Sequence, residues 1–150
     1  MFIDLIKRMV NSKLVSNILS ANVFFRLIVN NGLIVFLYHE VSDHPSEFHS
    51  KYGLNVPPEI FENQIRFIKD LFNVITPAEL LSGNYKKPAA MVTFDDGPKG
   101  YYDNAVPILN KLNCPSTIFL NMGPINGEIF WAGLVTFLCD NDKEFFNSVI

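Results

Sequence analysis

The stretch Ala89-Ala90-Met91-Val92-Thr93-Phe94 is apolar apart from Thr93, and Asp95-Asp96-Gly97 follows it at once. A short run of this kind, ended by a turn signal, predicts a strand buried on both faces, as strands of parallel sheets are. A helical pattern of apolar residues follows over residues 105–112. In parallel α/β folds the chemistry collects at the carboxyl ends of strands, because the loops there converge on one rim. The acidic pair is therefore the first candidate site.

Two adjacent carboxylates at a strand end are costly unless something compensates their charge. Like charges at close range raise the pKa of one group or call for a cation. Asp carboxylates bind divalent metals, and one of a pair can hold a metal while the other acts as a general base. Asp-Asp-Gly is also ordinary turn chemistry. A plain turn is thus the alternative for Asp95-Asp96-Gly97 taken alone.

Strand and helix patterns alternate along the rest of the chain. Leu33–Tyr38 (LIVFLY) predicts another strand buried on both faces, and from His39-Glu40 a polar loop is expected through Ser50. Further strands are predicted at residues 73–75 and 116–120, with a helix over residues 130–139. This order of elements is typical of a parallel α/β fold.

Two more helices carry start signals. Pro57-Pro58-Glu59 opens a helix because Pro is tolerated in the first turn. Its apolar stripe is Phe61, Ile65, Ile68 and Phe72. Thr76-Pro77-Ala78-Glu79 is a capping box, which predicts Thr76 as the N-cap of a short helix ending near Gly83.

Composition excludes several classes of protein. The 150 residues are 49% hydrophobic and 18% charged, which excludes a disordered chain. A net charge of −3 argues against nucleic acid as a partner. Cys114 and Cys139 form no CxxC motif or disulfide framework, so ordinary thiols are expected.

Residues 1–30 differ from the rest, with four basic residues and one acidic residue. Their apolar residues have helical spacing, which predicts an amphipathic segment that packs on the domain or lies peripherally on a membrane surface. The segment has neither an apolar span of ~20 residues nor a signal-peptide cleavage pattern. A cytoplasmic location, or one on the cytoplasmic face of a membrane, is therefore expected. Residues 31–150 are expected to form the second unit.

Thr93-Phe94-Asp95-Asp96-Gly97 resembles the first signature motif of the polysaccharide deacetylases, the enzymes with a NodB-like domain. Leu37-Tyr38-His39-Glu40-Val41 resembles the strand-end Tyr-His-x-Val of one large branch. Four further segments are similar to segments of the family and occur in the same order along the chain. They are residues 56–65 (VPPEIFENQI), residues 104–109 (NAVPIL), residues 115–120 (PSTIFL) and Phe130-Trp131. The resemblance runs from about Leu33 to Asp142.

The resemblance implies a fold, a reaction and two site residues. The fold would be a distorted (β/α) barrel, here truncated to its first half, and the reaction a metal-dependent hydrolysis of acetyl groups on N-acetylated sugars of a polysaccharide or glycan. Asp95 would be the general base that activates water. Asp96 would be a ligand of a divalent metal, zinc above all, which lowers the pKa of its bound water to about 7.

The remaining metal ligands of that family come from a His-Ser/Thr-x-x-His motif downstream of the acidic pair, and this chain has none. Its three histidines, His39, His44 and His49, all lie upstream, five residues apart. A five-residue spacing does not place two neighbouring histidines on one helix face or one strand face. His39 ends a predicted strand, so a second-shell or substrate role is expected for it, whereas His44 and His49 are expected to be solvated loop residues.

These gaps leave the ligand set incomplete and lead to two expectations. The 150-residue chain is expected to be poorly stable and inactive, or to be a non-catalytic remnant that binds carbohydrate or a protein partner. Trp131 would line a sugar groove in either case, with a core or rim position as its alternative. A receiver-type phosphotransfer domain is disfavoured, because neither Leu33–Tyr38 nor residues 116–120 end in Asp.

Overall fold

The computed structural model describes residues 32–141, which form a mixed α/β fold around a parallel sheet. The strands are β1 (Leu33–Tyr38), β2 (Glu40–Val41), β3 (Asn55–Val56), β4 (Asn73–Val74), β5 (Ala89–Asp96) and β6 (Thr117–Leu120). The helices are α1 (Glu47–Lys51), α2 (Pro58–Leu71), α3 (Pro77–Ser82), α4 (Val106–Lys111), α5 (Met122–Ile125) and α6 (Trp131–Asn141). A π-helical turn, Tyr101–Ala105, leads into α4. The predicted α/β class is confirmed.

β5 is the central strand of the main sheet, and all its pairings are parallel. It pairs with β1 over Ala89–Phe94, with β4 at its start and with β6 at its end. β2 and β3 form a separate parallel pair. Since Tyr38 lies opposite Phe94 and Leu120 lies opposite Asp96, the carboxyl ends of β1, β5 and β6 meet at one edge of the sheet. We call this edge the C-terminal rim.

The main core lies between the sheet and α2. The predicted stripe is confirmed, and its four members are buried, namely Phe61, Ile65, Ile68 and Phe72. The ring of Phe61 meets the ring of Tyr38 at a centroid distance of 5.0 Å and that of Phe94 at 5.8 Å. Phe94 is fully buried, and burial of a side chain of this size stabilises the fold by about 1.5–3 kcal/mol. The residue directly before Asp95 is thus firmly anchored.

Burial of the two predicted strands differs. β5 is buried from Ala89 through Phe94, as expected. For β1 the prediction of burial on both faces is wrong, because Val35 and Leu37 are 54% and 53% exposed. Phe36 and Tyr38 pack against the core on the α2 side. On the opposite face of β1, Val35 and Leu37 are not covered by any other part of residues 32–141.

The polar loop predicted after His39-Glu40 proves to contain structure. β2 occupies Glu40–Val41 and α1 occupies Glu47–Lys51, within the segment that was expected to be a loop through Ser50. A strand of two residues and a helix of five are too short to show a hydrophobic period, so the pattern did not reveal them. β5 also extends through Asp96 instead of ending at Phe94, so both acidic residues belong to the strand.

One predicted segment, the amphipathic helix of residues 1–30, lies outside the described residues. Among the helices within residues 32–141, none has the length and apolar character needed to cross a bilayer.

The capping box at the start of α3 is present. Thr76 Oγ1 accepts a hydrogen bond from Glu79 N at 3.3 Å, and Glu79 Oε2 accepts one from Thr76 N at 2.8 Å. Gly83 ends the helix with a left-handed φ of 69°. The predicted cap and end of α3 are both confirmed.

Thr76→Ala is expected to lower the free energy of unfolding by about 1 kcal/mol, because the Glu79 N–H loses the Thr76 hydroxyl that accepts its hydrogen bond. Urea unfolding of the chain measures this loss. Thr76→Ser keeps the hydroxyl and serves as the control. Equal stability of the Ala and Ser variants would show that the capping box contributes nothing.

Candidate active site at the carboxyl end of β5

Asp95 and Asp96 are the last two residues of β5 and lie on the C-terminal rim. Asp95 pairs with Phe119 of β6, and Asp96 pairs with Leu120. Both carboxylates are half-buried, whereas Phe94 beside them is completely buried. The strand therefore fixes the backbone of the pair while leaving the side chains within reach of solvent.

The chain turns sharply directly after the acidic pair. Asp96 has a φ of 66° and Gly97 a φ of 76°, both left-handed. Asp is among the few residues with a side chain that adopt this conformation readily. Gly97 N donates to Asp95 O at 2.8 Å, and a Cβ on Gly97 would lie 2.7 Å from Leu120 Cδ2. The left-handed conformation favours glycine at position 97, whereas the exposed Leu120 side chain could move away from an added Cβ.

His39 follows Tyr38 at the end of β1 and is half-buried on the same rim. A second-shell or substrate role for His39 stays a prediction. His44 is exposed, and its backbone N–H donates to Ser42 Oγ at 2.9 Å. The expectation of a solvated loop residue is therefore appropriate for His44.

For His49 the expectation of a solvated loop residue is wrong. His49 lies in α1, and its side chain is only 12% exposed. Its Nδ1 lies 2.7 Å from Ser46 Oγ and 3.8 Å from Glu40 Oε2. Burial lowers the pKa of His49, while the charges of Glu40 and Asp96 raise it and that of His39 lowers it further. α1 therefore brings a histidine into the electrostatic surroundings of the acidic pair.

Glu40, like His49, lies in this region although the sequence motifs assigned it no functional role. It is 8% exposed, with His49 as its ion-pair partner. Burial of a carboxylate is unusual without a partner. The sequence signal that could have pointed to it is its place directly after the predicted strand end His39.

Trp131 lies apart from the core, at the start of α6, and is 69% exposed. It borders an open cleft of about 260 Å³ between α1 and α6, lined by Phe48, Tyr52, Trp131, Ala132, Val135 and Thr136. An ion pair between Lys51 and Asp140, 2.5 Å from Nζ to Oδ1, joins the two helices. The exposure of Trp131 excludes a core position for this residue, and a role in lining a sugar groove stays a prediction.

A metal site of the expected kind needs three protein ligands. Within residues 32–141 no group of three His, Cys, Asp or Glu side chains is arranged to bind a metal. His39 and Asp96 share the rim, but the described residues alone do not complete a metal site.

Comparison with known proteins relates this arrangement to one family. Residues 82–134, which include the acidic pair, match the family model named Polysaccharide deacetylase. YxkH of Bacillus subtilis, whose name assigns it to the polysaccharide deacetylases, is 33% identical over 59% of this chain and 31% of its own length. The poly-β-1,6-N-acetyl-D-glucosamine N-deacetylase of Staphylococcus aureus is 35% identical over 47% of this chain and 26% of its own length.

A solved structure gives the same result. The deacetylase PplD of Streptococcus pyogenes, solved in complex with acetate, superposes with a TM-score of 0.52 and 29% identity, covering 61% of this chain and 43% of PplD. The chain thus spans about a third or less of the length of the two curated relatives. Sequence and fold thus relate this chain to the polysaccharide deacetylases, whose family model matches residues 82–134 and whose members it resembles over part of their length.

Proposed function

We propose that the chain serves the hydrolytic removal of acetyl groups from the N-acetylated sugars of a polysaccharide. The observation that carries the proposal is the position of Asp95 and Asp96. They end the central strand of a parallel sheet, where active sites of such folds collect, and they lie inside the segment that matches the family. The polymer named for the Staphylococcus aureus relative, poly-β-1,6-N-acetyl-D-glucosamine, supports an N-acetylated glycan as the substrate class.

The two carboxylates take different roles in this proposal. Asp95 acts as the general base that removes a proton from the attacking water, a role that needs an accessible carboxylate held at a fixed position. The anchored backbone of Phe94 and the half-buried state of Asp95 meet that need. Asp96 is proposed as a metal ligand.

A divalent metal, zinc above all, belongs to the proposal. When bound, such a metal polarises the acetyl carbonyl and lowers the pKa of a water molecule. Because residues 32–141 contain no set of three suitable side chains, at least one ligand would have to come from outside this part of the chain. The 150-residue chain by itself is therefore expected to release no acetate.

The cleft beside Trp131 is proposed to bind the glycan. Pyranose rings present apolar C–H faces, and exposed aromatic rings provide matching surfaces. Trp131 and Tyr52 are 69% and 52% exposed at this cleft. The hydroxyl groups of Tyr52 and Thr136, 3.3 Å apart, add polar partners for sugar hydroxyls.

Trp131→Ala is expected to weaken binding of an N-acetylglucosamine oligomer about 2- to 13-fold, because an aromatic contact is worth about 0.5–1.5 kcal/mol. Isothermal titration of the 150-residue chain with the oligomer measures the change. Phe137→Ala is the matched control, since Phe137 lies on the same helix and is 60% exposed but does not line the cleft. Equal affinities for the two variants would remove the cleft from the proposal.

The same cleft favours a second candidate, a module that binds glycan without hydrolysing it. Acetate release separates the two. Binding of the oligomer by the 150-residue chain, together with absence of acetate release from a folded chimera of residues 33–141 with the Staphylococcus aureus enzyme, would favour the binding module.

A chimera tests the proposed reaction. In it, residues 33–141 of this chain replace the matching segment of the Staphylococcus aureus enzyme, so that the rest of that enzyme supplies whatever these residues lack. We expect the chimera to release acetate from an N-acetylglucosamine oligomer in a metal-dependent manner. A folded chimera that releases no acetate would contradict the proposed role of the acidic pair.

A further inference from the structure

β2 lies between α1 and the segment that follows the acidic pair. Its two residues, Glu40 and Val41, are 8% and 0% exposed. Glu40 N donates to Leu54 O at 3.0 Å, and Ser42 N donates to Val56 O at 3.1 Å, so the pairing with β3 holds β2 on both sides of Val41. The Glu40 side chain therefore leaves a fixed backbone.

Gly100 packs directly against this short strand. A Cβ on Gly100 would lie 1.8 Å from Glu40 Oε1 and 2.5 Å from Val41 O. The backbone of Gly100 has a φ of −64°, which any residue adopts. The absence of a side chain is thus required by the contact with Glu40 and Val41, not by the backbone conformation.

The π-helical turn is attached to β2 as well. Asn104 Nδ2 donates to Val41 O at 2.8 Å, and Ala105 is fully buried. π-helical turns are rare and occur often at functional sites. Gly100 and Asn104 together fix the segment that begins four residues after Asp96.

His49 approaches the same carboxylate from α1. Its Nδ1 lies 3.8 Å from Glu40 Oε2, and the two side chains are 12% and 11% exposed. Ser46, the N-cap of α1, lies 2.7 Å from the same Nδ1 through its Oγ. Glu40 is therefore held between a histidine and the backbone of Gly100.

We propose that Glu40 is a positioning residue for the acidic pair, with its carboxylate, paired with His49, fixing Gly100 and thereby the turn that carries Asp96. The importance of Glu40 for catalysis rests on the proposed deacetylase function. The contacts that join His49 to Glu40 and Glu40 to Gly100 are independent of that function.

Nuclear magnetic resonance of the full 150-residue chain tests the link. In the unsubstituted chain, we expect the amide resonance of Gly100 to shift with the same pH midpoint as the His49 ring. Glu40, His39 and Asp96 are the charged groups that influence this ring. In Glu40→Gln, we expect a lower midpoint for His49, since the charge of Glu40 raises its pKa, and loss of the matching shift at Gly100.

Controls separate the link from a general loss of structure. The ring of exposed His44 and the amide of Gly83, at the end of α3, are expected to respond alike in both proteins. If Glu40→Gln does not fold, His49→Gln in its place should leave the Gly100 amide without a shift at the former His49 midpoint. The proposal would be overturned if the Gly100 amide shift shows no change at the His49 midpoint in the unsubstituted chain. It would also be overturned if that change persists undiminished in Glu40→Gln. None of these readouts involves acetate release, so failure of the link and failure of the proposed function are distinguishable.

Discussion

Asp95→Asn is expected to lower acetate release by the chimera about 10²- to 10⁴-fold, the usual contribution of a general base. The substitution keeps the size and the strand pairing of the residue but removes its ability to accept a proton. Because Phe94 anchors this end of β5, the backbone should stay in place. The matched control is Asp103→Asn, since Asp103 is an exposed carboxylate paired with Lys99 at 3.3 Å and takes no part in the site.

Asp96→Asn should reduce the rate as well, but for a different reason. We expect this variant to lose bound metal, measured as metal per chain after dialysis, whereas Asp95→Asn keeps it. Equal metal content in both variants would contradict the assignment of Asp96 as a ligand. An Asp95→Asn chimera as active as the Asp103→Asn chimera would contradict the assignment of Asp95 as the base.

Phe61→Ala should produce the largest loss of stability, about 3–5 kcal/mol in the free energy of unfolding. Phe61 is completely buried, and its ring contacts those of Tyr38 and Phe94. Removing it leaves a cavity between α2 and the two strands that end at the C-terminal rim. Urea unfolding measures the loss, and a marginally stable chain would be unfolded even without urea.

The matched control for Phe61 is Phe119→Ala. Phe119 lies on β6 and is 59% exposed, so a loss well below that of Phe61 is expected. Similar losses for the two variants would show that the core between α2 and the sheet is not the main source of stability.

Much of the fold could be predicted because several elements are specified by local chemistry. The α2 stripe repeats at helical spacing, and the capping box at Thr76 contains its own hydrogen-bond partners. The apolar run before Asp95 is long enough to identify a strand. The acidic pair could be found because its position, at the end of such a strand, is itself a sequence feature.

The rest depends on contacts between distant residues. Burial of His49 results from α1 packing near β2. The five-residue spacing of the histidines does not predict this burial. The close approach of Gly100 to Glu40 joins residues 60 positions apart. Exposure of Val35 and Leu37 depends on which layers cover the sheet, and an apolar strand pattern cannot reveal that.

The most direct test of the acidic pair is acetate release by the chimera in water enriched in oxygen-18. Hydrolysis with Asp95 as the base predicts that each acetate carries one oxygen from water, and that this labelled product is nearly lost in Asp95→Asn while it persists in Asp103→Asn. Labelled acetate formed equally fast by the Asp95→Asn chimera would contradict the account.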